Sequence, residues 1–249
     1  MAGKLNGKVA LITGASSGIG EATALALAAE GAHVAVAARR GGRLEALVKQ
    51  IVDNGGQAMP IIADVADEKQ AQDMVLTANA RWGHLDILVN NAGIMLLGPI
   101  DGADTEDWRR MVNVNLLGVM YATRYVLPIM KEQHQGHIVN ISSVAGRTAR
   151  AGSGVYNATK WAVGAFSEAL RQEVHAHHIR VTIIEPGAVE TELTEHITNP
   201  AAKEESQRFY HSMHILRSED IAASILYAVT QPPYVNVNEI LIRPTEQER

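Results

Sequence analysis

Apolar residues come along this chain in short continuous runs, each followed by a longer stretch in which apolar and polar positions recur with helical spacing. Short runs bounded by Gly, Asn and Asp predict buried strands, and the 3.6-residue recurrence predicts amphipathic helices. On this reading strands lie over 9–12, 33–37, 58–62, 85–89, 137–141, 180–185 and 237–242. Helices lie over 19–30, 43–54, 68–82, 105–132, 155–175 and 218–230, the fourth kinked at Pro128, whose missing N–H interrupts the ladder. Strand and helix in alternation are repeated βαβ units, so the fold class is α/β with a parallel sheet covered on both faces. No linker-like, repetitive or low-complexity segment breaks the series, and one domain over 1–249 is expected. The stretch 191–212 fits the alternation poorly, being polar and mixed in charge. Two readings stand for it: a mobile lid, since closing segments are drawn from low-stability regions, or an ordinary surface helix.

Composition narrows the function. With 249 residues, 47% of them hydrophobic, the chain can bury a sizeable core. A formal charge of -5 offers no basic field for a polyanion, which argues against a nucleic-acid partner. Cysteine is absent, so disulfides, thiolate zinc sites and cysteine nucleophiles are excluded. The beginning Met1-Ala2-Gly3-Lys4-Leu5 lacks a signal-peptide pattern, and the most apolar stretch, 87–100, is broken by Asn90, Asn91, Gly93, Gly98 and Pro99. The expectation is a cytoplasmic protein with no membrane partner. Of ten histidines, the densest group is His175-Ala176-His177-His178, at a helix end where imidazolium suits the dipole. A metal site would need further ligands, and none is assigned.

The turn after the first strand reads Thr13-Gly14-Ala15-Ser16-Ser17-Gly18-Ile19-Gly20. Glycine lets a backbone turn tightly and approach a pyrophosphate, and the helix start beyond it presents unpaired N–H groups to the same anion. Gly14, Ser16, Ser17, Gly18, Ile19 and Gly20 are therefore candidate cofactor contacts. About 20 residues further on, where an acidic residue would hold the ribose of NAD, the chain reads Ala37-Ala38-Arg39-Arg40. A guanidinium forks onto a phosphate, so Arg39 and Arg40 make NADP(H) the expected cofactor. Asp64 and Val65 after the third strand, and Asn91, Ala92 and Gly93 after the fourth, fall where open parallel sheets bind ligands. The first pair suits the adenine and the second group the ribose. Simple turn chemistry accounts for the same residue types.

Tyr156 and Lys160 stand four apart on a predicted helix and so share a face. A phenol titrates near ~10, and a neighbouring ammonium favours its phenolate, which suits Tyr156 to exchange a proton with a carbonyl oxygen while a hydride moves at carbon. Ser143, just past the fifth strand, can hydrogen-bond that oxygen as charge grows on it. Asn115 has two readings, a water-holding relay to Lys160 or a bridge across a backbone irregularity. Pro186 and Gly187 end the sixth strand and bring small, rigid backbone to the nicotinamide, with Val189 beside them and Thr191 a candidate for the carboxamide or a phosphate. Arg147 and Arg150, between Ser143 and Tyr156, are candidates for a substrate carboxylate or plain loop residues. His211 and His214 either line the pocket or, the preferred reading, lie on a solvated face.

With T-G-x-x-x-G-x-G, N-N-A-G, the Asn115-Leu116 pair, Ser143, Y-x-x-x-K and Pro186-Gly187 in this order, the chain resembles the short-chain dehydrogenase/reductase family over essentially its whole length. The resemblance implies a Rossmann-like doubly wound fold with a seven-stranded parallel sheet of order 3-2-1-4-5-6-7. It also implies a catalytic tetrad of Asn115, Ser143, Tyr156 and Lys160, with Lys160 anchoring the nicotinamide ribose. A small-molecule carbonyl or alcohol substrate follows, as does a homo-oligomer, dimer or tetramer, packed through the helices of 105–132 and 155–175. Within the family, 90–99, 166–174 and 239–245 are similar to the subgroup of clavulanate dehydrogenase and the NADP-dependent 3-hydroxy acid and serine dehydrogenases, whose ending departs from the common Asp-Gly-Gly tail and borders on the pocket. The competing expectations are an epimerase or dehydratase that keeps its nicotinamide through turnover, a nucleotide-sensing protein without catalysis, and a methyltransferase. The last leaves Ser143, Tyr156 and Lys160 without a shared task.

Overall fold

Strands form where small and branched apolar side chains run together: Val9–Thr13 (β1), His33–Ala38 (β2), Gln57–Ile62 (β3), Ile87–Asn90 (β4), Gly136–Ile141 (β5), Ile179–Pro186 (β6) and Glu239–Ile242 (β7). The computed structural model describes residues 3–248, so Met1, Ala2 and Arg249 of the expected domain lie outside the described residues. All strands pair in parallel, in the order β3-β2-β1-β4-β5-β6-β7 that the resemblance implies. The helices are Gly18–Ala29 (α1), Gly41–Asp53 (α2), Glu68–Trp82 (α3), Thr105–Val112 (α4), Gly118–Glu132 (α5), Gly154–Val174 (α6), Pro200–His211 (α7) and Ser218–Val229 (α8).

Successive strand side chains point to opposite faces, and β1 shows the result. Ala10 and Ile12 join Leu27 of α1 and Ile225 of α8 in one core layer, while Val9 and Leu11 join Met74 of α3, Val126 of α5 and Leu170 of α6 in the other. Central strands are thus buried on both faces, and β3, at the edge, is partly exposed and accommodates Pro60. The chain leaves β3 at one edge and re-enters at β4 beside β1, so strand order reverses between β1 and β4. A crevice opens at the carboxyl ends of strands where the order reverses.

Two features of the helical segments bear on the site. The predicted helix 105–132 breaks at Asn113–Leu117, a π-helical turn between α4 and α5, whereas α5 runs through Pro128 without interruption. Such turns hold an extra residue in the helix and recur at functional sites. In the segment 191–212 a 3₁₀ turn Glu192–His196 is followed by α7, so the helix that was one of its two readings is present. Asn199 caps α7 by accepting from the Ala202 N–H at 3.0 Å, and Pro200 occupies its first turn.

Candidate active site

Thr13, at the end of β1, staples two loops together. Its hydroxyl donates to the Val89 carbonyl at 3.3 Å and accepts the N–H groups of Asn91 and Ala92 at 3.0 and 3.1 Å. The Asn91 amide donates back to the carbonyls of Thr13 and Gly14 at 2.9 and 3.2 Å. The loops meet so closely that a Cβ on Gly14, at φ +65°, would lie 2.7 Å from the Ala92 Cα. Asn90 is buried and serves the core, its amide donating to Asn140 at 2.8 Å. Gly20 packs behind the turn, where a Cβ would lie 2.5 Å from the Gly14 carbonyl oxygen.

Beyond this turn lies a cleft of about 400 Å³. Gly14, Ser16, Ser17, Gly18, Ile19, Arg39, Arg40, Asp64, Val65, Asn91, Ala92 and Gly93 line one end, and Ser143, Tyr156, Lys160, Pro186, Gly187, Val189 and Thr191 continue it. Asn115 and Gly20 stand behind its wall. Ser17 precedes α1 in extended conformation without capping it, so no side-chain cap covers the helix start. Gly18, at φ +59°, faces Thr191, whose Cγ2 would lie 3.1 Å from an added Cβ. A bare helix start behind two glycines fits a pyrophosphate.

Arg40 reaches into this end. Its Nε and Nη2 donate to the Ser16 hydroxyl at 3.0 and 2.9 Å, Nη2 also to Ser17 at 2.7 Å, and Nη1 to Glu192 at 2.7 Å. Arg43 donates to the other Glu192 oxygen at 2.6 Å. These guanidinium contacts lower the Glu192 pKa to about 2. Arg39 leans the other way, 3.7 Å from Asp64. The cluster of hydroxyls and cations fits a phosphate on the adenosine ribose. Neither Arg43 nor Glu192 was legible as part of it.

At the other end, Ser143 extends from β5 and caps a 3₁₀ turn, accepting the Ala145 N–H at 3.1 Å and donating to the Pro186 carbonyl at 3.4 Å. Tyr156 and Lys160 come from α6, each 6% exposed. The Lys160 ammonium donates to the Ile141 carbonyl at 2.9 Å and lies 5.8 Å from the Tyr156 ring centre. Burial lowers the Lys160 pKa to about 8. Burial also raises the Tyr156 pKa, with Tyr210 adding to the rise and Ser143 opposing it. Burial is the largest influence on the phenol and no lowering comes from Lys160, which runs against the expectation that its ammonium pulls Tyr156 toward phenolate.

The π turn presents Asn115 to the loop after β4, where its amide accepts the Ile94 N–H at 2.8 Å and donates to the Ile94 carbonyl at 2.9 Å and Thr159 at 3.2 Å. It bonds neither its own helix backbone nor Lys160. The glycine between them is close to both: a Cβ on Gly93 would lie 3.5 Å from the Asn115 oxygen and 3.8 Å from the Lys160 nitrogen.

Arg147 is removed from the candidates for substrate. Its Nε donates to both oxygens of buried Glu185 at 2.8 and 2.9 Å and its Nη2 to Glu239, contacts that raise its pKa and tie the Ser143 loop to β6 and β7. Arg150 stays in the cleft, 5.2 Å from the Phe209 ring centre, and pairs with no carboxylate among the described residues. Met95, Leu97, Leu193, Phe209 and Tyr210 make this end apolar, with His196 and Glu205 at its rim. His211 and His214 are exposed and outside the lining. The C-terminal segment does border the site: Gln247 lines the cleft, and its amide oxygen accepts the Ala188 N–H at 2.8 Å. Among the described residues no helix is long and apolar enough to cross a membrane.

Known proteins are similar to this chain in sequence and fold. An uncharacterised oxidoreductase of Staphylococcus saprophyticus is 41% identical over 96% of this chain and 97% of its own. A serine dehydrogenase solved in a closed form with NADP+ superposes with a TM-score of 0.90 at 36% identity, covering 97% of this chain and 96% of that one. An alcohol dehydrogenase from the archaeon Thermococcus sibiricus, solved with 5-hydroxy-NADP, gives a TM-score of 0.86 at 28% identity, with 97% and 98% covered. The model of the short chain dehydrogenase family matches residues 8–202, and with that match the glycine turn, the parallel sheet and the serine, tyrosine and lysine at its edge have one explanation: this chain is a member of the short chain dehydrogenase family.

Proposed function

We propose that the protein is an NADP(H)-dependent oxidoreductase interconverting a carbonyl and an alcohol, with Tyr156 as its proton-transfer group. The observation that carries this reading is the buried Tyr156 phenol beside Ser143, in one cleft with the Gly14–Gly18 turn and Arg40. Bound NADP(H) supplies the hydride donor or acceptor. Arg40, Ser16 and Ser17 would hold its 2′-phosphate, with Arg39 nearby, and the start of α1 behind Gly14 and Gly18 its pyrophosphate. Asp64 and Val65 would flank the adenine, Asn91 to Gly93 and Lys160 the riboses, and Pro186, Gly187, Val189 and Thr191 the nicotinamide. Family membership and oxidoreductase relatives favour this over the epimerase and sensor readings.

In reduction, Tyr156 gives its hydroxyl proton to the substrate oxygen, and Ser143 donates a hydrogen bond to that oxygen as it gains charge. Lys160, brought to about 8 by burial, lies near enough to neutrality to return a proton toward Tyr156. Asn115 keeps the Ile94 backbone in place beside Gly93 and so acts as a positioning residue. Closure by 191–212 would exclude water from the apolar end.

The substrate class supported best is a hydroxy or oxo acid. Arg150, without a carboxylate partner among the described residues and lying over the Phe209 ring, is placed to receive a carboxylate, and the likeness to a serine dehydrogenase points the same way. A homo-oligomer is supported by Trp161 of α6, 52% exposed, and sedimentation velocity tests it. The functional test is NADPH absorbance with hydroxy acids, ketones and aldehydes. Tyr156→Phe lowers kcat by about 10²–10⁴-fold and leaves NADPH affinity within a few-fold; retained turnover refutes the assignment. Arg150→Ala lowers turnover of acids relative to neutral alcohols, and an unchanged ratio refutes the acid reading.

A further inference from the structure

Glu192 sits on the segment 191–212, yet its carboxylate is held by the other side of the cleft. One oxygen accepts from Arg40 at 2.7 Å and the other from Arg43 at 2.6 Å, across 152 and 149 residues of sequence. Arg40 is at the same time seated on the hydroxyls of Ser16 and Ser17. A carboxylate shared between two guanidiniums, over two hydroxyls, makes the contacts a phosphate oxygen pair would make there. The arrangement is open to exchange, because the side chains of Arg40, Arg43 and Glu192 are 41, 49 and 30% exposed. Ion pairs this accessible contribute little, whereas a phosphate dianion brings more charge and three acceptor oxygens. Two anions cannot keep the same guanidinium donors without repulsion.

We propose that Glu192 is a built-in counter-anion for the cofactor's 2′-phosphate: it fills the Arg40 and Arg43 receptor until that phosphate displaces it, and thereby tunes discrimination between phosphorylated and unphosphorylated cofactor. The inference rests on the NADP(H) reading above. It has a structural consequence at the other end of the same turn. Thr191, next to Glu192, faces Gly18 at the start of α1, so displacing Glu192 loosens the root of the segment that leads to α7 over the substrate end.

The test uses the whole protein with two probes lacking nicotinamide, adenosine 2′,5′-bisphosphate and adenosine 5′-monophosphate, measured by calorimetry. Glu192→Gln is expected to bind the bisphosphate about five-fold more tightly, equivalent to about 1 kcal/mol, with affinity for the monophosphate unchanged. In the unaltered protein, hydrogen exchange at 192–196 is expected to rise with the bisphosphate and not with the monophosphate. Unchanged or weaker bisphosphate affinity in Glu192→Gln overturns the inference, as does added protection of 192–196. Failure of the underlying reading looks different: the unaltered protein would then bind both probes equally and Arg40→Ala would change neither, and the inference falls with it.

Discussion

Lys160→Met separates the energetic cost of the site from its chemistry. The folded protein carries the Lys160 ammonium in a buried place, and burial lowers its pKa from 10.5 to about 8. Between those values the unfolded chain binds a proton that the folded chain does not, so this group makes stability rise with pH across that window. Below about pH 8 both forms are charged and the folded one bears the full desolvation penalty. At about 1.4 kcal/mol per pKa unit the penalty is about 3 kcal/mol. Methionine fills similar volume without charge but leaves the Ile141 carbonyl without its donor, which costs about 1 kcal/mol. The cofactor-free variant is therefore expected to be about 2 kcal/mol more stable than the parent near neutrality. Its advantage shrinks above about pH 8 and changes sign toward about pH 10.5, where only the lost hydrogen bond remains. Urea unfolding of both proteins at several pH values measures the difference, in which all other titrating groups cancel. A difference independent of pH, or one that favours the parent most at neutrality, refutes the reasoning.

Arg40→Ala removes the guanidinium held by Ser16 and Ser17; the KM for NADPH is expected to rise about 10- to 100-fold with that for NADH nearly constant, and a parallel change in both contradicts the assignment. Arg147→Ala leaves Glu185 buried without its cation and is expected to cost about 2–4 kcal/mol in chemical denaturation. Adding Glu185→Gln should recover more than half of that loss, and strict additivity of the two changes counts against the ion pair. Gly14→Ala forces a side chain into a left-handed backbone and against Ala92, costing about 2–4 kcal/mol and weakening nucleotide binding. A variant with parental stability and affinity shows that the turn has room.

The parts that were legible in sequence are those dictated by local chemistry. Gly14 and Gly18 announce a turn after β1 whatever surrounds it, and Tyr156 and Lys160 share a helix face by spacing alone. What escaped depends on partners far along the chain. Arg147 and Arg150 look equivalent until Glu185 and Glu239, 38 and 92 residues away, tie up the first. The π turn at Asn113–Leu117 had one local hint, Asn115 read as a bridge across a backbone irregularity; Pro128 offered the more obvious break, and the irregularity instead sits where Asn115 meets the Ile94 backbone. Glu192 looked like one more charge in a polar stretch. For α7 the polar composition alone left a lid and a surface helix both open, and the Asn199 cap and Pro200 in the first turn are what start the helix.

The amide of Gln247 ties the segment after β7 to the loop after β6, which has a practical bearing on how the protein is handled. A deletion or insertion that disturbs Gln247 acts on a strap whose contact at Ala188 lies in the wall of the cleft. Material in which the segment around Gln247 is undisturbed is thus the proper reference for every rate and affinity measured on this enzyme.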